Sequence, residues 1–169
     1  PWNLKTGSSG SSAGSASATV AGLVPFAIGT ETWGSIISPS STCGATGLRP
    51  TFGSISRTGA MALSWSLDKI GPICRSAEDA AIVYSLIHGT DGLDLSAVNT
   101  AFNYEPNAPI KKLKIGFAKN YFDQIRDTSR NEWKVLAAFK EMGVELIPIE
   151  FPDTAVYKAN IMDVIISAE

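Results

Sequence analysis

Two stretches gather hydroxyl groups among glycines. Residues 6–17 read T-G-S-S-G-S-S-A-G-S-A-S, and residues 29–36 read G-T-E-T-W-G-S-I. Serines on glycine-rich turns are raw material for nucleophilic acyl chemistry, but a neutral hydroxyl is a poor nucleophile and needs a base. His88 is the single histidine, so a Ser-His-Asp triad would depend wholly on it. Its position in S-L-I-H-G, at the end of a predicted helix, suits a cation meeting the C-terminal dipole better than catalysis. Metal sites built from several histidines are excluded by the count. The serine-glycine stretch also has plainer readings. A linker would join two self-sufficient segments, yet few residues precede this one and an apolar helix begins inside it. A tag remnant would fit G-S-S-G-S-S, but P-W-N-L-K upstream is not tag-like. A phosphate loop needs G-K-[ST] or G-x-G-x-x-G, and neither is present.

Composition narrows the class. The 169 residues are 44% hydrophobic and 18% charged, enough apolar material for one ordinary domain with a core. Net charge is −2, and the densest basic cluster is Lys111, Lys112 and Lys114. No nucleic-acid contact and no membrane surface are therefore expected. Cys43 and Cys74 form no CxxC and read as packing thiols, which with the lack of a signal peptide points to the cytoplasm. The absence of an initial Met and the abrupt S-A-E end read as a fragment of a longer chain.

The elements that must position these residues follow from pattern. Ser11–Val24 reads as a helix of small residues stopped by Pro25, and Phe26–Gly29 as a buried strand. Thr30–Pro50 has no clear period and is predicted irregular; loops of that length are often functional. Short strands or turns are expected at Phe52–Ser56 and Met61–Leu63. Lys69–Arg75 reads as extended. A helix follows, with Ser76 as N-cap and Glu78 and Asp79 in its first turn, ending at Gly89. Residues 90–109 read as a connection. Leu113–Ala118, Arg130–Met142 and Val144–Ile149 read as strand, helix and strand, a β-α-β unit, and Ala155–Glu169 as helical.

Four motifs then occur in order: G-S-S-A-G-S-A from Gly10, G-T-E-T-W-G-S-I from Gly29, C-G-A-T-G-L-R-P-T-F-G from Cys43, and S-L-D-K-I-G-P-I-C-R-S-A-E-D-A from Ser66. This ordered set resembles the amidase signature family, strongly from Pro1 to about Asp94 and by general pattern beyond. The resemblance implies an α/β fold, a mixed β-sheet flanked by helices in an α/β/α sandwich. Residues 1–105 would form the core segment with both serines, and 106–169 a β-α-β continuation truncated at its C-terminus. It implies amide hydrolysis through an acyl-serine, with Ser35 as nucleophile. The family's bridging serine lies 24 positions before the nucleophile, which selects Ser11 rather than Ser8. That serine stands in a cis peptide, here beside Gly10, and passes protons between nucleophile and lysine. Backbone N–H groups of Thr32, Trp33, Gly34 and Ser35 would form the oxyanion hole. Ser12, Thr30 and Glu31 would support the site, and Asp68 would be structural. No cofactor and no metal are implied. The partners implied are a small-molecule amide substrate and either a second copy of the chain or amidotransferase subunits.

Three departures from the family pattern matter. The family's lysine base lies well upstream of the bridging serine; Lys5 is too close to Ser11 to match it, and Lys69 is not assigned that role either. The isolated 169 residues are therefore expected to be inactive. Trp33 stands where the family usually has glycine; with negative φ it would wall an acyl pocket, along with Trp2 and Trp65 as core or pocket residues. Ile37 stands where many members have arginine, which removes a polar partner of Glu31 or makes the acyl pocket more apolar. An apolar or aromatic acyl group is the expected substrate. Two further functions fit the same motifs: an amidotransferase A-type subunit releasing ammonia to a partner, and a non-catalytic binding protein on the same scaffold.

Overall fold

The apolar run after Pro25 continues through Thr30 into strand β1 (Ala27–Glu31), two residues beyond its predicted end. In the computed structural model, which describes residues 3, 5–151 and 161–169, β1 pairs antiparallel with β3 (Lys69–Cys74). β3 also pairs antiparallel with the two-residue β2 (Thr46–Gly47), giving the order β1-β3-β2. The register sets Ala27 opposite Ile73 and Glu31 opposite Lys69.

Helices cover both faces of this sheet. Helix α1 (Ala13–Val20) and helix α2 (Ile37–Cys43) meet one face, where Ala16, Ile36, Cys43 and Ile73 form a fully buried cluster. Helix α3 (Ala77–Ile87) packs on the other, with Cys74, Ala80 and Val83. Ile73 and Cys74 are neighbours in sequence and point into opposite cores, the period-2 alternation of a strand covered on both sides. Truncating Ile36 or Ile73 to alanine would cost about 2–5 kcal/mol. Small residues let α1 approach the sheet: Ala16 and Thr19 are fully buried, and Thr19 Oγ1 donates to the Ser15 carbonyl at 2.8 Å. α1 ends at Val20, short of the predicted Val24, and Leu23 is left exposed. α3 follows its prediction closely, with Ser76 Oγ accepting from Asp79 N–H at 3.0 Å.

The prediction of irregular chain over Thr30–Pro50 is corrected by α2 and β2. α2 has a proline in its first turn and a weak apolar period, so its sequence hides it. A side chain from outside the helix compensates: Glu31 Oε2 accepts the N–H groups of Ile36 and Ile37 at 2.8 and 2.9 Å. Pro39 lacks an N–H where the first turn has no partner for one. Gly44, at φ 77°, closes the other end.

Residues 1–104 and 162–169 make up one compact unit and residues 105–161 a second. The second contains β4 (Lys114–Ala118), a one-turn helix α4 (Lys119–Phe122), α5 (Asn131–Glu141) and β5 (Glu145–Ile149). β4 and β5 pair in parallel, as a β-α-β unit requires. Phe117, Phe122 and Trp133 stack edge to face within it. The strands thus form an antiparallel and a parallel sheet, mixed overall and flanked by helices. Helix α6 (Ile161–Ala168) takes up the end of the predicted segment Ala155–Glu169; its start lies outside the described residues. Among the described residues no helix is long and apolar enough to cross a membrane.

Candidate active site

The turn from β1 into α2 carries Thr32, Trp33, Gly34 and Ser35 on a braced base. Glu31, at its start, is 3% exposed. Its two carboxylate oxygens divide their work: Oε2 holds the Ile36 and Ile37 N–H groups, and Oε1 lies 3.5 Å from Arg49 Nε. The expected loss of a polar partner for Glu31 is therefore corrected. Arg49 supplies the guanidinium from the strand-side loop, so Ile37 need not. The turn's strained position falls on Gly34, at φ 149°. Among the described residues Ser9 is the one non-glycine with positive φ, so Trp33 carries no such penalty. The turn also keeps its donors open: among the described residues, none takes up the N–H of Trp33, Gly34 or Ser35.

Ser12 fastens the serine-glycine turn to this one. Its N–H donates to the Ser35 carbonyl at 3.1 Å, and its Oγ bonds both the carbonyl and the N–H of Thr30, each at 3.2 Å. It starts α1 but makes no side-chain cap; its hydroxyl is spent on β1 instead. A Cβ at Gly29 would come within 2.9 Å of that hydroxyl, so β1 needs glycine there. The Gly10–Ser11 peptide bond is cis. Ser11 is exposed and Ser35 half-buried. The two segments meet through the N–H and hydroxyl of Ser12, and no hydrogen bond among the described residues links the hydroxyls of Ser11 and Ser35.

A cavity of about 620 Å³ lies beside the turn, lined by Thr30, Asp68, Lys69, Ile70, Met61 and Trp65 among others. Its outer wall is organised by Arg57, which donates to Asp94 through N–H and Nε, to Trp65 carbonyl and to Ser96 Oγ, and stacks over Phe52. Hydrogen bonds from Ser96 and from the Arg57 N–H hold the Asp94 carboxyl well below the usual range. Trp65 lines this cavity; Trp33, 62% exposed, is outside its lining and is not a core residue. Trp2 lies outside the described residues. Cys43 and Cys74 are fully buried thiols. His88 Nδ1 sits 3.1 Å from the Ser85 carbonyl and stacks on Tyr84, within α3's last turn. Among the described residues no group of His, Cys, Asp and Glu is placed to hold a metal ion.

The sequence model of the family described as Amidase matches residues 1–169. This chain belongs to the amidase family. It is 42% identical over 164 residues to the A subunit of glutamyl-tRNA(Gln) amidotransferase from Acinetobacter baumannii, covering 93% of this chain and 33% of the relative. The protein of the same description from Neisseria meningitidis is 39% identical over 159 residues, covering 91% and 33%. The amidase chain thus spans about a third of these curated relatives. Among solved structures, the corresponding amidotransferase chain from Thermotoga maritima superposes with TM-score 0.86 at 33% identity, covering 99% of this chain and 38% of that one. The native peptide amidase of Stenotrophomonas maltophilia gives TM-score 0.78 at 30% identity, covering 94% and 34%.

Within this amidase chain, several residues escaped the sequence reading. Ser9, given no role from the sequence, sits at φ 62° and its hydroxyl bonds Ser38 Oγ at 2.7 Å, tying the chain before Ser11 to α2. Arg49 is the partner of Glu31, but nothing in R-P-T-F-G marks which acid it faces. Lys69 reaches the Thr32 carbonyl at 3.3 Å. No sequence signal marks this contact; the β1–β3 register places Lys69 opposite Glu31.

Proposed function

We propose that this chain supplies the acyl-serine part of an amide-hydrolysing site. Ser35 Oγ adds to the amide carbonyl carbon while Ser11 takes its proton and passes one to a neutral lysine amine. The N–H groups of Thr32–Ser35 receive the oxyanion; donors of this kind are worth about 3–4 kcal/mol each. The intermediate collapses, the C–N bond breaks, and ammonia or an amine leaves with the proton returned through Ser11. Water then adds to the acyl-Ser35 ester, freeing the carboxylate and restoring the hydroxyl. The lysine is assigned to a part of the protein that these 169 residues do not supply. Thr30, Glu31, Gly10 and Ser12 hold the two serine turns rather than react.

The observation that carries this reading is the Ser12 N–H to Ser35 carbonyl bond at 3.1 Å. It ties the residue after Ser11 to Ser35 itself, so the two candidate hydroxyls arrive on one clamp. Labelling with a fluorophosphonate and mapping the adduct by mass spectrometry tests it. Modification at Ser35, lost in Ser35→Ala, is the expected result; labelling elsewhere, or none in a chain that carries the lysine, sinks the reading in favour of a non-catalytic scaffold.

A second reading has its own support, the 42% identity to the A subunit of a glutamyl-tRNA(Gln) amidotransferase. In it the same acyl-Ser35 chemistry releases ammonia for a partner protein instead of to solvent. Ammonia release that needs no other protein would favour the free hydrolase. Release that rises on adding partner subunits with their acceptor would favour the amidotransferase role.

A further inference from the structure

Asp68 and Lys69 are neighbours in sequence, and both bind Thr32. Thr32 Oγ1 donates to Asp68 Oδ1 at 2.5 Å, and Lys69 Nζ donates to the Thr32 carbonyl at 3.3 Å. The antiparallel register explains the convergence. Glu31 and Lys69 are the last paired residues of β1 and β3, so the first residue of the turn emerges beside the start of β3. Asp68 is itself fixed, accepting the N–H groups of Leu63 and Ser64 at 2.7 and 3.1 Å. It already holds the Thr32 side chain, which is all that a structural brace requires. Lys69 does something different, because it acts on the peptide group.

The Thr32 carbonyl is one end of the Thr32–Trp33 amide, and the Trp33 N–H is the other. An ammonium on the oxygen draws electron density from the amide and makes its N–H a stronger donor, an effect enhanced where water is scarce. Lys69 is half-buried and lines the cavity. Burial and the Arg49 guanidinium pull its amine below the usual lysine range, while Glu31 and Asp68 pull it back up. A desolvated ammonium of this kind acts strongly on the dipole it touches. The geometry points to Lys69 as a positioning residue for acyl transfer: its ammonium fixes the Thr32–Trp33 peptide and polarises the Trp33 N–H that meets the oxyanion. The inference rests on the reading of Ser35 as nucleophile.

The test uses the full-length enzyme with Lys69→Met, Lys69→Gln and Lys69→Arg, beside Ser35→Ala. Lys69→Met is expected to lower kcat about 10- to 100-fold while KM moves by less than about twofold, because the lost interaction belongs to the transition state. Lys69→Arg should recover most of the rate, and Lys69→Gln, a neutral donor, should fall between. A boronic acid that forms a tetrahedral adduct on serine should weaken in step with kcat across the series, while the product carboxylate binds unchanged. A brace without electronic effect would instead give equal loss in all three variants, or a kcat loss with boronate binding intact; either overturns the proposal, as does an unchanged kcat in Lys69→Met. Should Lys69→Met misfold by its thermal midpoint, the Gln-to-Arg comparison separates the same two outcomes. Full activity in Ser35→Ala would sink the parent reading, whereas an inactive Ser35→Ala with normal Lys69 variants sinks this inference alone.

Discussion

Ser12 donates its backbone N–H to the carbonyl of Ser35 at 3.1 Å, and its hydroxyl bridges both polar groups of Thr30. One residue thereby sets the spacing between two turns that are far apart in sequence. The roles separate by substitution. Ser35→Ala should lower turnover by about 10⁴-fold or more in the full-length enzyme, as losing a nucleophile does. Ser11→Ala should also lose most activity if Ser11 carries the proton as proposed. Ser12→Ala keeps the backbone bond and forfeits the two to Thr30, so it should mainly lower stability, by about 1–2 kcal/mol. Steady-state turnover beside urea unfolding checks the ordering; Ser12→Ala as inactive as Ser35→Ala would contradict it.

Glu31 is the joint between strand and helix. Its carboxylate takes the N–H groups of Ile36 and Ile37 and faces Arg49, so Glu31→Ala would leave two donors without their acceptor, while the half-exposed Arg49 can turn to solvent. The expected loss is about 1–3 kcal/mol, read from chemical denaturation. Glu31→Gln retains one acceptor oxygen and should lose less. Since the same N–H groups shape the turn below Ser35, labelling of Ser35 should slow in Glu31→Ala even where the protein remains folded.

How far the sequence revealed this depends on the kind of interaction. β3, α3, β4, α5 and β5 carry local signals, an N-cap at Ser76 or a period of two or 3.6, and these elements were legible. The α/β class and the family followed from four ordered motifs. α2 was not legible, because its stability comes from Glu31, outside the helix, and not from its own I-S-P-S-S-T-C. Arg49 and Lys69 were missed for a related reason. Lys69 acts across the β1–β3 register and Arg49 reaches Glu31 from the loop after β2, and both placements are set only on folding. Trp33 is not in the core, although a large aromatic ordinarily is: it is 62% exposed beside Gly34, which takes the turn's positive φ.

The cavity wall should respond to acid. Hydrogen bonds from Ser96 and the Arg57 N–H favour the charged form of Asp94, so its folded-state value lies below the unfolded one. Stability from this group is therefore complete above about pH 4, the unfolded carboxylate value, and declines as pH falls toward the folded value. Asp94→Asn should lower stability near neutrality and flatten the decline below pH 4. Urea unfolding over a pH series measures both. An identical acid slope in the two proteins would show that Asp94 is not the responsible group.

The base is the next separable element. No lysine in these 169 residues matches the position that the family pattern assigns to it, so the isolated polypeptide should label with an active-serine probe far more slowly than a longer chain that carries that lysine. The comparison is a rate at equal probe concentration, with circular dichroism to confirm that the short chain is folded. Equal labelling rates at Ser35 would mean that another group, Lys69 first among the nearby amines, serves as base.

A preference among substrates is predicted from two exposed apolar side chains next to the proposed nucleophile Ser35. Trp33 and Ile37 are 62% and 48% exposed, and both are apolar where the family pattern has glycine and often arginine. The neighbouring cavity continues this character through Met61, Trp65 and Ile70. Arg49 is engaged with Glu31. An acyl group entering here meets apolar surface, worth about 25 cal/mol per Å² covered, and no arginine at position 37 to receive a carboxylate. Aryl and long-chain amides should therefore be turned over with higher kcat/KM than small charged amides of the malonamate type. Ile37→Arg should narrow or reverse that ratio. The measurement is kcat/KM for a matched pair of amides with wild type and Ile37→Arg; a preference for the charged amide in the wild type would refute the assignment.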